Sequence, residues 1–258
     1  MIHELNHIGI VVTDLDASVD FYTRVLGAKK VWETRVEAAG MDIVYLQLAQ
    51  GLVELLSFAD NTLPVGTNHL GFYSDNLDDD FARLVERGAE PVVEPRVAAS
   101  GAGRQAIVRD PDGVSIELLQ RDLPLRSGTV PHPHIHAIDH FALQSSDHDR
   151  TFDFYTRELG MAVAKQIPIP TLETTLSYLH HGQDVLEILP NIHGGARLHH
   201  MALAVDDVEA TLAYVASMGG TPDGPARPAA GGVGSIASVT DPDGTVIEFI
   251  DRPRILEG

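Results

Sequence analysis

Apolar residues fall along this chain in two alternating rhythms, one of period two and one close to 3.6. Residues 6–13 alternate and are rich in Ile and Val, which predicts a strand. Asp14 is placed to cap a helix, Leu15, Val19, Tyr22 and Leu26 recur at helical spacing, and Gly27 is a natural stop. Three β-rich runs follow, at about 30–38, 41–49 and 52–58. The order βαβββ then returns. A strand is predicted from residue 69 and a helix near 76–87 ending at Gly88, followed by strands whose last pair is joined by the turn Asp110-Pro-Asp-Gly113. A third helix ends at Gly160, and a fourth, near 207–218, ends at Gly219.

The rhythm repeats because the sequence does. Val19-Asp-Phe-Tyr-Thr-Arg-Val-Leu-Gly27 returns as Phe152-Asp-Phe-Tyr-Thr-Arg-Glu-Leu-Gly160, and Asp110-Pro-Asp-Gly-Val-Ser-Ile-Glu117 as Asp241-Pro-Asp-Gly-Thr-Val-Ile-Glu248. The chain is a tandem duplication, and each half divides again. Asn6-His7-Ile8-Gly9, Asn68-His69-Leu70-Gly71, Asp139-His140-Phe141-Ala142 and His199-His200-Met201-Ala202 open four modules of about 60 residues each. An α+β protein of four tandem βαβββ modules is expected. The three-proline stretch between Asp122 and Ala137 has no apolar periodicity and reads as a linker. The expected organisation is a first domain over 1–122, a linker over 123–137 and a second domain over 138–258.

Composition narrows the partners. Lys plus Arg is 18, only three of them Lys, against 37 Asp plus Glu, a formal charge of −19 in 258 residues. That balance argues against nucleic acid or an anionic membrane, both of which need a basic footprint. No apolar run approaches a membrane span. The absence of cysteine excludes disulfides, thiolate zinc sites and a cysteine nucleophile. It fits a reducing cytoplasm, and no signal peptide is visible at the start.

The candidate chemistry lies in a second regularity. His7 and Glu54, and likewise His140 and Glu187, are 47 residues apart. His69 and Glu117, and likewise His200 and Glu248, are 48 apart. Each His opens its module's first strand, and each Glu stands in an apolar run of the last strand, such as Leu52-Val-Glu-Leu-Leu56. A carboxylate so placed is costly to bury unless it is paired or ligates a metal. A lone strand Glu is more often solvent-facing and a lone His more often structural. Four pairs kept at one spacing, in modules that have otherwise diverged, favour ligands. Imidazole with carboxylate suits a divalent Zn, Ni, Co, Mn or Fe(II) ion.

With these modules, the strand-opening His, the FYTxxLG helix end and the DPDGxxIE hairpin, the chain resembles the vicinal oxygen chelate superfamily. That group includes glyoxalase I, methylmalonyl-CoA epimerase, extradiol dioxygenases and bleomycin- and fosfomycin-resistance proteins. The resemblance implies two cupped mixed sheets with flanking helices, each built from a pair of modules around one divalent ion. It implies metal ligands at His7, Glu54, His69 and Glu117, and at His140, Glu187, His200 and Glu248. Modules one and two with three and four, or one and four with two and three, both satisfy the pattern. The longer stretch from Glu117 to His140 favours the consecutive pairing.

By the same resemblance, a glyoxalase- or epimerase-like isomerase or lyase would act on a small molecule with vicinal oxygens through an enediolate, with Glu117 or Glu248 as catalytic base. The family's glutathione-binding arginine is missing, since Val11 and Leu143 stand near its place. With the acidic balance, that points away from glutathione and CoA esters. The alternative is an Fe(II) extradiol dioxygenase using His140, His200 and Glu248, although the Tyr of the dioxygenase signature is absent before Glu248. A further alternative is a non-catalytic drug- or metabolite-binding resistance protein. Association as a homodimer is also implied, and no nucleotide cofactor is expected.

Other signals have plainer readings. Gly101-Ala-Gly103-Arg-Gln-Ala106 and Gly232-Val-Gly234-Ser-Ile-Ala237 fit a dinucleotide fingerprint but lead into strands rather than a helix, and read as glycine loops beside the pocket. His132, His134 and His136 read as solvated linker, and His180-His181 as an exposed turn. Asp75-Asn-Leu-Asp-Asp-Asp80 reads as a helix start, and Tyr22 and Tyr155 as core.

Overall fold

The computed structural model describes residues 1–60, 63–123, 125–170, 173–191, 195–230 and 232–257. Pro124 of the expected linker and the terminal Gly258 lie outside the described residues.

The first half of the chain forms β1 (Ile2–Val11), α1 (Leu15–Asp20), β2 (Lys29–Val36), β3 (Met41–Leu48), β4 (Gly51–Phe58), β5 (Gly66–Ser74), α2 (Leu77–Glu86), β6 (Glu90–Val97), β7 (Arg104–Arg109) and β8 (Ser115–Gln120). The second half forms β9 (Ile135–Gln144), α3 (His148–Asp153), β10 (Ala162–Ile169), β11 (Thr174–His181), β12 (Asp184–Leu189), β13 (Arg197–Val205), α4 (Val208–Ser217), β14 (Thr221–Pro222), β15 (Arg227–Pro228), β16 (Ser235–Thr240) and β17 (Val246–Ile250). Strands pair in the orders β2-β3-β4-β1-β5-β8-β7-β6 and β10-β11-β12-β9-β13-β17-β16-β14, with β15 against β16. These are mixed sheets of eight and nine strands, each joining two consecutive modules. Pairing is parallel between β5 and β8, β12 and β9, and β13 and β17, and antiparallel within the hairpins.

Local chemistry sets the helix boundaries. Asp14, Asn76, Asp147 and Asp207 each accept a hydrogen bond from the backbone amide three residues on, capping α1, α2, α3 and α4. The helix predicted to run unbroken to Gly27 instead changes pitch. Phe21–Val25 is π-helical, as is its repeat Phe154–Glu158. Gly27 and Gly160 end these segments at φ +72° and +74°, a conformation costly for any side chain.

By packing, the chain forms two compact units. One comprises Met1–His7, Asn68–Leu123 and Phe141–His199, and the other Ile8–Thr67, Pro124–His140 and His200–Gly258. Within the first unit, Tyr155 is fully buried in the core, and its hydroxyl donates to Asp110 Oδ2 at 3.0 Å. Asp110 Oδ1 accepts from the amides of Asp112 and Val114, which shapes the DPDG turn. Asp112 in turn accepts from the Ser146 amide and hydroxyl and from Thr151 Oγ1.

The second unit repeats the device. Buried Tyr22 donates to Asp241 Oδ2 at 3.2 Å, Asp241 Oδ1 accepts from the amides of Asp243 and Thr245, and Asp243 accepts from Thr13. Burial, then the neighbouring Asp, pushes both phenols well above their usual range, so they remain donors. The tyrosines read as core are therefore also clasps, and the two repeated motifs grip one another.

The glycine-rich loops lead into strands, β7 and β16. The histidine linker is less solvated than its composition suggests. His132 is half-buried, its ring centroid 5.3 Å from that of Tyr214, and its Nδ1 accepts from the amides of His134 and Ile135. His136 pairs with Asp206 at 3.0 Å. His180 and His181 close β11 half-buried rather than in an exposed turn, with His181 Nε2 3.2 Å from the Ile2 carbonyl oxygen.

Candidate metal centres

Strand geometry decides which side chains meet. Alternate residues of a strand share a face, and β1 and β5 are neighbours. In β1 the apolar positions are buried, and His7 stands among them with no exposed surface. His69 occupies the matching place in β5 and is 7% exposed. The register sets Glu54 of β4 opposite Tyr45 and Glu117 of β8 opposite Gly71.

Ligand-type atoms of His7, Glu54, His69 and Glu117 all lie within 4.8 Å of one another. His7 Nε2 and His69 Nε2 are 3.1 Å apart, and Glu117 Oε2 is 3.5 Å from the first and 3.7 Å from the second. The rings meet edge to face, centroids 5.2 Å apart.

The far sides of both rings are held. His7 Nδ1 is 3.1 Å from Asn6 Oδ1, and His69 Nδ1 is 3.0 Å from Asn68 Oδ1. Asn6 is itself oriented, its amide nitrogen donating to Glu4 and its oxygen accepting from Arg121. An amide oxygen on Nδ1 places the proton there and leaves Nε2 as a lone pair. Two lone pairs and a carboxylate oxygen at such distances repel one another unless a cation or a proton stands among them. The donor set therefore fits a divalent ion of the kind bound by mixed nitrogen and oxygen ligands.

The second sheet gathers His140, Glu187 and His200, again with ligand-type atoms within 4.8 Å of one another. All three are buried, and the imidazole centroids are 5.4 Å apart at 70°. His140 Nδ1 is 2.7 Å from Asp139 Oδ1, which also accepts from Arg252 at 2.8 Å. Burial alone would raise the Asp139 carboxyl, but His140 and then Arg252 hold it below the ordinary range. Glu248, expected as the fourth ligand, sits opposite Ala202 on β17, half-buried, and is not one of this three-donor group.

Sequence reasoning gave no role to Asn6, Asn68, Asp139, Arg121 or Arg252. A signal was present. The residue before each candidate His is polar in all four modules. These histidines lie inside their strands rather than opening them, since β1 begins at Ile2, β5 at Gly66, β9 at Ile135 and β13 at Arg197.

Comparisons with known proteins identify the family and the fold. The model of the Glyoxalase/Bleomycin resistance protein/Dioxygenase superfamily matches residues 4–118 and 137–249. The lactoylglutathione lyase of Arabidopsis thaliana is 27% identical across 97% of this chain and 92% of its own length. The fold is shared with the Mn(II)-bound glyoxalase of Novosphingobium aromaticivorans, at a TM-score of 0.71 and 23% identity over 98% of this chain and 84% of that one. It is shared equally with the 2,3-dioxygenase LapB of Pseudomonas sp. KL28, at a TM-score of 0.69 and 18% identity over 96% of this chain and 91% of that one. With both duplicated halves matched by one family model, the chain belongs to the Glyoxalase/Bleomycin resistance protein/Dioxygenase superfamily.

Proposed function

We propose that this chain is a divalent-metal-dependent lyase or isomerase of the glyoxalase type, moving a proton on a small molecule that carries two vicinal oxygens. The observation that carries the reading is the convergence of His7, Glu54, His69 and Glu117 in one group. A divalent ion bound there would supply Lewis acidity toward the substrate oxygens. His7 and His69, fixed through Nδ1, would hold it with Glu54 and Glu117. The Glu117 side chain is 12% exposed and that of His7 is fully covered, so Glu117 is the less enclosed of the two. Glu117 takes the proton from the carbon next to the carbonyl and returns it to the neighbouring carbon. In the second sheet His140, Glu187 and His200 form the ligand group, and Glu248 on β17 is both its fourth ligand and its base.

The full-length likeness to a lactoylglutathione lyase makes the adduct of a 2-oxoaldehyde with a thiol the substrate class of choice. Val11 and Leu143 are buried and apolar, so neither supplies a cation for a peptide carboxylate. Adducts of small thiols should therefore be used at least as well as the glutathione adduct. The test is turnover of methylglyoxal with glutathione or with a small thiol, by protein stripped and reloaded with Mn(II), Ni(II), Co(II) or Zn(II). Turnover that needs metal and falls about 100-fold or more in Glu117→Gln supports the reading. Oxygen uptake with catechols by the Fe(II) form, without thiol-adduct turnover, would replace it with ring-cleaving dioxygenation. That second reading is favoured by the two-histidine, one-carboxylate group of the second sheet, which uses Glu187 rather than Glu248. Metal binding with neither activity would leave a sequestering protein.

A cytoplasmic homodimer completes the proposal, with sedimentation of the purified protein as its test. No helix among the described residues is long and apolar enough to cross a membrane.

A further inference from the structure

The duplicated strands differ at one small position that touches a ligand. On β5, Gly71 lies opposite Glu117, and a Cβ placed there would fall 2.1 Å from Cε1, 2.3 Å from Nδ1 and 2.7 Å from Nε2 of His7. The His7 ring occupies the volume that any side chain at position 71 would need. On β13 the equivalent residue, opposite Glu248, is Ala202, which has that Cβ and is fully buried. His140 therefore cannot sit over β13 as His7 sits over β5.

The ring pairs differ accordingly. The histidine planes cross at 88° in the first sheet and at 70° in the second, and the centroids stand 5.2 Å and 5.4 Å apart. The carboxylate facing the glycine, Glu117, joins a four-donor group, whereas the carboxylate facing the alanine, Glu248, stands outside a three-donor group.

We infer that the residue at 71 and at 202 is the positioning residue that makes the two centres unequal. Glycine admits the imidazole close against the sheet and lets the last-strand Glu complete the set. Alanine displaces the imidazole and holds that Glu farther from the other three donors, so that it closes the set less tightly. The first centre is then the tighter divalent-metal site and the second the weaker. This rests on the metal reading proposed above and adds which centre is loaded first and which side chain decides it.

The test is a Mn(II) titration of the full, metal-stripped chain, followed by the paramagnetic resonance of free Mn(II) and by calorimetry. Two sites are expected, with dissociation constants about tenfold or more apart. His7→Ala should remove the tighter one. Gly71→Ala should weaken the tighter site toward the other, and Ala202→Gly should tighten the weaker site. Because Ala202→Gly only removes a methyl group, it keeps the test decisive if Gly71→Ala fails to fold. Two equal sites in the unaltered chain, loss of the weaker site in His7→Ala, or affinities unmoved by Ala202→Gly would overturn the inference while leaving the metal reading intact. No Mn(II) bound at either centre would overturn both.

Discussion

His7, His69 and His140 each lean on the residue before them, and the partners differ in charge. Asn6 and Asn68 offer neutral oxygens to His7 and His69, whereas Asp139 offers a carboxylate to His140. Such partners fix the tautomer and commonly change metal affinity 10- to 100-fold when removed. Asn6→Ala and Asp139→Ala are each expected to weaken Mn(II) binding by that factor at their own centre, read by the same titration. Glu248→Gln should lower metal occupancy of the second centre while the far-ultraviolet circular dichroism stays unchanged. Unaltered occupancy would remove Glu248 from the ligand set.

Away from the centres, burial raises Asp110 from the ordinary 3.8 to about 6, against the pull of the Val114 amide and the Tyr155 hydroxyl. A raised carboxyl means that the folded chain binds the proton more tightly than the unfolded chain. This group's contribution to stability is therefore greatest below about pH 4, falls as pH rises to about 6, and is level above. Asp110→Asn removes that slope. The difference in denaturation midpoint between variant and parent should change across this interval and be flat above it.

At the scale of elements, the two repeated motifs explain each other. The π-helical turns carry Tyr22 and Tyr155, and the DPDG turns carry Asp241 and Asp110, which accept the phenol protons. A hydrogen bond to a buried carboxylate contributes about 1.5–3 kcal/mol. Tyr155→Phe should destabilise the protein by that order in urea unfolding with little effect on metal binding. A loss of metal affinity instead would show that the clasp also holds the centres.

The elements themselves were largely legible. Strands predicted near 41–49 and 52–58 stand at Met41–Leu48 and Gly51–Phe58, because each is a short, largely apolar run buried on both faces. The change of pitch at Phe21 was not legible, because a π turn keeps the same apolar face and leaves no break in the pattern. Nor was the exchange of Leu15 and Val44 for His148 and Ser177 at the repeated positions. His148 Nε2 meets the Ser177 hydroxyl at 2.9 Å, a contact that appears only when α3 is laid on β11. Of the centres, the spacing of His and Glu located the ligand candidates. Their unequal grouping depends on a methyl group at residue 202, and spacing carries no information about that.

At the scale of the whole molecule, an ion that binds only the folded state stabilises it by mass action. At 100 times its dissociation constant, Mn(II) should add about 2.7 kcal/mol per occupied centre. A melting temperature that rises with added Mn(II) and returns on chelation is the expected outcome, and one insensitive to both would leave the buried histidines without a ligand role.

Each compact unit draws on residues from both halves of the duplication. Ile8–Thr67 packs with His200–Gly258, and Asn68–Leu123 with Phe141–His199. A ribosome that has made only the first half has delivered strands for one whole sheet and a finished hydrophobic interior for neither unit. The nascent polypeptide must keep its second module unsatisfied until the third emerges and its first until the fourth, so chaperone demand should be concentrated before translation ends. Severing the gene at the linker should give two fragments that are insoluble apart and recover together.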